Sequence, residues 1–186
     1  MKKIMFNDRY GLTRAVLEGR KTQTRRLVPK RYLGEFPNEV DLFEATCNGH
    51  AFMKGEVVAV AQNLKDMGYN ARDTKTISGA IWGLDHTEAW TNKMFVCASM
   101  CVHHILITNV RVERLKDISE EDCFKEGIYW EYGDYPYMAT KMYKYDEKDE
   151  FTRPRGAFAS LIDKVNGKGT WASNPYVYVY EFVLIK

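Results

Sequence analysis

The chain has 186 residues, of which 45% are hydrophobic and 28% charged, with a net charge of +2. That length supports one well-buried core and is short for two, and the composition excludes a disordered or fibrous chain. No run approaches the roughly 20 apolar residues of a spanning helix, and the opening MKKIMFNDRY meets charge too early for a secretory signal, so a cytoplasmic protein with no membrane partner is expected.

In chain order, Asn7 or Asp8 can N-cap a short helix with Leu12, Ala15 and Val16 on one face, and Gly19 suits its left-handed C-terminal position. The stretch GRKTQTRR, residues 19–26, begins where that helix stops. In an extended chain Thr22, Thr24 and Arg26 share one face and Gln23 and Arg25 the other, with Lys21 beside the latter pair unless it still lies in the turn. Residues 28–53, with two prolines and two glycines, read as an irregular insertion. GEVVAVA, residues 55–61, suits a buried strand after a glycine turn, and residues 66–92 read as a second excursion over the surface.

KMFVCA and then HILITNVRVERL have strand character. Ser119 heads a short helix with Glu120, Glu121 and Asp122 in its first turn, running through Cys123 and Phe124 to Glu126, where Gly127 stops it. Residues 129–155 form a third, tyrosine-rich insertion. Phe158, Leu161, Ile162 and Val165 recur at helical spacing up to Asn166 and Gly167, and YVYVYEFVLI closes the chain as a strand. The order has no regular βαβ alternation, which predicts one α+β domain or small mixed barrel over residues 1–186. No solenoid repeat, P-loop, GxGxxG or HExxH is present.

Of the four cysteines, Cys97 and Cys101 with His103 would share one face of an extended strand, a zinc-like arrangement. No second ligand pair accompanies them, and buried free cysteine is a common small hydrophobe, so neither metal, cofactor nor disulfide is expected. Charge clusters more tellingly: Arg20, Lys21, Arg25, Arg26, Lys30 and Arg31 fall within a dozen residues of a near-neutral chain. A local basic site of that kind suits a single anionic ligand.

LEGRKTQTRR, directly after a short N-terminal helix, resembles the signature of the ASCH domain, a branch of the PUA-like β-barrel superfamily. GEVVAVA, ITNVRVERLKDISEEDCFKEGI and FASLIDKVNGKGTWASNPYVYVYEF are similar to further family segments in the same order, the last to long phage and prophage members. The resemblance covers a little over half the chain and implies a PUA-like small mixed β-barrel with flanking short helices, residues 28–53, 66–92 and 129–155 being insertions. Members of this family include amidohydrolases that deacetylate N(4)-acetylcytidine with a lysine and a threonine of the Gly-x-Lys-Thr-x-Thr stretch and a glutamate after the central strands. Carried over, these fall on Lys21, Thr24 and Glu126.

The chemistry is coherent by itself. Amide cleavage needs a nucleophile, a base for its proton and an acid for the departing amine. Thr24 attacks if Lys21 is neutral, a state favoured by burial and by Arg20, Arg25 and Arg26 nearby, and Glu126 then protonates the cytosine nitrogen. Each residue also has a plain reading: a strand threonine, a solvated lysine at a helix C-terminus, a surface helix glutamate.

The leading expectation is that a basic cleft binds RNA or a modified nucleotide, as PUA-like domains commonly do. Arg20, Thr22, Arg25 and Arg26 would hold phosphate or base edges, with Trp82 or Trp90 stacking on a base. Trp171, next to Asn174 and Pro175, is expected instead to pack the final turn. The alternative is deacylation of an N-acylated pyrimidine nucleoside, which would not tolerate arginine in place of Lys21.

Overall fold

The structure is a computed structural model that describes residues 1–29, 52–72, 74–77, 80–83, 87–133 and 140–185, with the backbone alone over 74–77 and 80–83. In chain order its elements are β1 (Lys3–Ile4), α1 (Leu12–Leu17), β2 (Gln23–Leu27), β3 (Val57–Val60), β4 (Thr74–Ile77), β5 (Ala80–Gly83) and β6 (His104–Arg114). There follow α2 (Glu120–Lys125), β7 (Tyr129–Tyr132), β8 (Lys141–Lys144), α3 (Pro154–Asn166), α4 (Thr170–Ser173) and β9 (Tyr176–Leu184). The chain is α+β, with a multistranded sheet and few helices, and among the described residues the strand pairings do not close into a barrel. None of its described helices is long and apolar enough to cross a membrane.

Two compact units divide the chain. One holds Met1–Phe6, Val57–Leu106 and Leu184–Lys186, the other Asn7–Glu56 and Ile107–Val183. In the first, β1 runs parallel to β3, and β3 pairs antiparallel with the opening of β6, Val57 opposite Leu106 and Ala59 opposite His104. The expected strand at KMFVCA is absent: Lys93–Phe95 and Ala98–Met100 form 3-10 turns. Asn92 caps the first by accepting from the Met94 N–H, and the Lys3 ammonium donates to the carbonyls of Met94 and Val96 at 2.6 and 2.7 Å. In a strand these two alternate carbonyls would lie on one side about 6.6–6.8 Å apart, too far for one ammonium to bond both, so gathering them requires the turn.

The zinc-like face is lost with that strand. Cys97 and Cys101 bracket the second turn, and His103 Nδ1 lies 2.7 Å from Gln62 Oε1. Among the described residues no group of three or more His, Cys, Asp or Glu could hold a metal ion. The expected surface excursion at 66–92 contributes instead to this unit's core: Met67, Tyr69 and Trp90 pack against buried Ala59, Leu64, Val96 and Cys101.

In the second unit β2 pairs antiparallel with β9, from Gln23 opposite Glu181 to Leu27 opposite Val177, and the later residues of β6 lie on the other side of β9. The expected first helix is in two pieces. Asn7 caps a 3-10 turn at Asp8–Tyr10, and Gly11 at φ 64° redirects the chain into α1, which buries Leu12, Ala15 and Val16 as predicted. The tyrosine-rich insertion contains a hairpin, β7 with β8, while residues 134–139 lie outside the described chain, as do 30–51 of the first insertion. Helix α3 buries Ala157, Phe158, Leu161 and Ile162, and Trp171 meets Phe158 edge to face at 6.2 Å, so it packs the final turn as expected.

Candidate active site

Backbone bonds bring the start of β2 to the end of α2. The Lys21 N–H donates to the Ala15 carbonyl and the Thr22 N–H to the Lys125 carbonyl, each at 2.9 Å, while the Thr22 carbonyl accepts from Phe182 on β9 at 2.9 Å. Helix α2 starts where Ser119 Oγ accepts the Asp122 N–H at 3.0 Å, and it ends at Glu126 because Gly127 adopts φ 100°. A β-carbon on Gly127 would lie 3.6 Å from the Lys21 Cβ, so the helix terminus packs directly on the lysine stem. These constraints present both the carboxylate and the carbonyl of Glu126 to Lys21.

Lys21 is 2% exposed and Glu126 3%. The Lys21 ammonium donates to Glu126 Oε2 at 2.5 Å and to the Glu126 carbonyl at 2.7 Å. The other oxygen, Oε1, accepts from Arg25 Nη1 at 3.0 Å. Arg25 spends its remaining N–H groups on Gln23 Oε1 at 2.7 Å, Glu113 Oε1 at 2.9 and 2.6 Å, and Asp122 Oδ2 at 3.1 Å. Outside it, Arg111 donates to Glu113 and Asp122, both at 2.9 Å, and to Glu181. Lys21, Arg25 and Arg111 thus face Glu113, Asp122, Glu126 and Glu181, three cations against four carboxylates.

Burial pulls the Lys21 amine below the ordinary lysine range, opposed by the charge and hydrogen bond of Glu126 and assisted by Arg26 and Arg25. Burial also opposes the charge of Arg25, but Glu126 and Glu113 outweigh it and hold the guanidinium above its usual value. For Asp122 burial pushes upward, yet Arg25, Lys125 and Arg111 prevail and keep the carboxyl below the usual aspartate range. Burial pulls Arg26 down against the charges of Glu126 and Tyr180. The Cys123 thiol, on α2, is pushed up to about 12 by burial and so is a neutral core group rather than a nucleophile.

Lys21, Arg25 and Glu126, three of the residues singled out by sequence, therefore meet. Thr24 is buried at 4% exposure and pairs with Tyr180 on β9, and strand alternation directs it to the face of β2 opposite Gln23 and Arg25. Arg26, half-buried, pairs with Tyr178, and Thr22 acts here through its backbone. Arg20 is exposed, bound to Glu18 at 2.7 Å and poised 5.8 Å from the Tyr129 ring centre. Trp90 belongs to the first unit's core, and Trp82 stands on β5 opposite Lys75.

Sequence reading overlooked Gln23, Arg111, Glu113, Asp122 and Glu181. Two signals for them were present: Arg111 and Glu113 alternate on one strand, and Asp122 and Glu126 are spaced to share a helical face. A cavity of about 920 Å³ also opens in this unit, walled by Tyr10, Arg14, Arg20, Gly127, Tyr129 and Lys164 among others. Its lining does not include Lys21, Thr24 or Glu126.

Compared with known protein families, characterised proteins and solved structures, the chain has no match.

Proposed function

We propose that the chain is an ASCH-type protein with a PUA-like barrel, and that it deacylates an N-acylated pyrimidine nucleoside such as N(4)-acetylcytidine. The buried Lys21–Glu126 pair, 2.5 Å apart at the end of α2, carries this reading. A buried lysine whose proton affinity is lowered by burial, beside a carboxylate, suits proton transfer. In the proposed reaction Thr24, which strand alternation directs to the other face of β2, must first turn its hydroxyl toward the pair; its Oγ then attacks the acetyl carbon and gives its proton to the pair. The carbon–nitrogen bond then breaks, N4 regains a proton from the pair, and water hydrolyses the acyl ester to acetate.

A phosphate clamp fits these side chains less well. Arg25 and Lys21 would have to leave buried carboxylates, and breaking such a pair costs about 3–5 kcal/mol. The second reading, binding of RNA or a modified nucleotide, draws on Arg20 instead, an exposed guanidinium beside Tyr129 at the edge of the 920 Å³ cavity.

Hydrolysis of N(4)-acetylcytidine, followed by ultraviolet absorbance, tests the proposal. Turnover by the unchanged protein, lost in Lys21→Arg and Thr24→Val, supports deacylation by this pair of residues. No turnover in any of them removes the acetylcytidine assignment and leaves the binding reading.

A further inference from the structure

The 920 Å³ cavity lies wholly within the second unit, and its lining holds five cationic and five carboxylate side chains. The two signs are unevenly placed. Residues 9–20 supply Arg9, Arg14 and Arg20 against the single carboxylate of Glu18. Glu18 holds two of these cations by separate oxygens: Oε1 accepts from Arg14 Nε at 2.6 Å, and Oε2 from Arg20 Nε and Nη2 at 2.9 and 2.7 Å. Of the five N–H groups of a guanidinium, Arg14 therefore keeps four and Arg20 three, in the fork geometry that suits phosphate. Residues 146–149 instead place three acids beside Lys148. Asp149 is held by Lys164 and the Tyr145 hydroxyl, but Asp146 accepts backbone N–H groups through Oδ1 alone, and Glu147 forms no ion pair among the described residues. The two segments meet where Tyr10 and Tyr145 pack edge to face at 5.8 Å, and the charge of Glu147 acts on Arg14. Tyr129 adds a half-buried ring to the lining, its centre 5.8 Å from the Arg20 guanidinium.

We propose that this cavity binds a single nucleoside monophosphate whose base carries an exocyclic amino group. Arg14 and Arg20 take the phosphate, Tyr129 the face of the base, and Asp146 and Glu147 its amino hydrogens. The choice of a nucleotide rests on the binding reading above; the restriction to one phosphate and an amino-bearing base rests on the lining. A strand of RNA would carry further phosphates toward the carboxylates, where like charge opposes them, whereas one phosphate needs only the arginine side. On the acidic side a carboxylate oxygen accepts and cannot donate. An amino group satisfies it, and a base carbonyl in the same place would leave two acceptors facing each other. The volume falls in the usual range of small-molecule sites, and base stacking on a tyrosine is indifferent to which base is bound, so selectivity falls to the acids. Neither Lys21 nor Glu126 takes part.

Calorimetric titration of the full chain with cytidine monophosphate, uridine monophosphate, cytidine and a short oligocytidylate tests this. Cytidine monophosphate should bind at least about tenfold more tightly than cytidine, which lacks the phosphate, and than uridine monophosphate, which replaces the amino group by a carbonyl. Arg20→Ala, at an exposed position, should weaken cytidine monophosphate by about tenfold and leave cytidine within about twofold. The double variant Asp146→Asn with Glu147→Gln, whose amides can also donate, should bring the two monophosphates within about threefold of each other. Equal affinity for cytidine monophosphate and cytidine, or for the two monophosphates, overturns the proposal, as does a base preference that survives the double variant. Oligocytidylate binding with a steep salt dependence, and no binding of cytidine monophosphate, also overturns it while leaving the RNA reading standing. Binding of none of the four ligands defeats the proposal and the binding reading together.

Discussion

The Lys21–Glu126–Arg25 network and the ion pairs at the cavity rim use the same residue types under opposite conditions. Arg14 and Arg20 share Glu18, and Lys164 meets Asp149, all in contact with solvent, whereas Arg25 and Lys21 are sealed between β2 and the end of α2. Water screens the rim pairs and can replace either partner. Within the network the side chains are almost wholly enclosed, so each charge depends on the specific oxygens or nitrogens around it, and the proton affinities of Lys21 and Arg25 shift accordingly. A basic run in a sequence therefore contains two kinds of cation: Arg20 is offered outward, while Lys21 and Arg25 are committed inward.

Deleting an inward charge should expose this contrast most strongly. Arg25→Met leaves Glu113, Asp122 and Glu126 short of counter-charge, and urea unfolding should show a loss of about 3–5 kcal/mol. A loss under about 1 kcal/mol would place Arg25 with the rim residues. Ser119→Ala removes the cap that starts α2 and thereby positions Glu126, with an expected cost of about 1 kcal/mol in the same assay.

Acid unfolding sharpens the comparison further. Because its folded value is depressed, Asp122 contributes stability that is complete above the ordinary aspartate value of about 4 and is lost as pH falls through its lowered value. Asp122→Asn should be less stable at neutral pH and show a shallower acid decline in its urea midpoint between neutral and acid conditions. An unaltered slope would show that Asp122 titrates alike in both states. The smallest effect belongs to the rim: Arg14→Ala should leave the melting temperature unchanged within error at moderate salt, and any difference at low salt should fade as salt is added.

Much of the site was legible because its constraints are local. Gly19 and Gly127 mark helix ends, Ser119 marks a helix start, and the motif between residues 19 and 26 supplies Lys21 and Arg25. What joins them is not local. Glu113 and Glu126 reach Arg25 across sequence separations of 88 and 101, which no periodicity within β2 encodes. The missed 3-10 turns at Lys93–Phe95 and Ala98–Met100 have the same origin, since Lys3, some 90 residues earlier, gathers the carbonyls that a strand would have dispersed. Strand propensity at Phe95 and Val96 yields there to a tertiary contact.

The most direct test of inward commitment is a paired salt titration of the unchanged protein, following N(4)-acetylcytidine hydrolysis and single-stranded RNA binding from low to moderate ionic strength. Turnover that hardly responds to salt, with no steeply salt-dependent RNA affinity, is the predicted result. RNA binding that weakens by several counterions' worth of slope and persists in Arg20→Ala, with no turnover at any salt, would show the inward cations facing phosphates and would contradict the account.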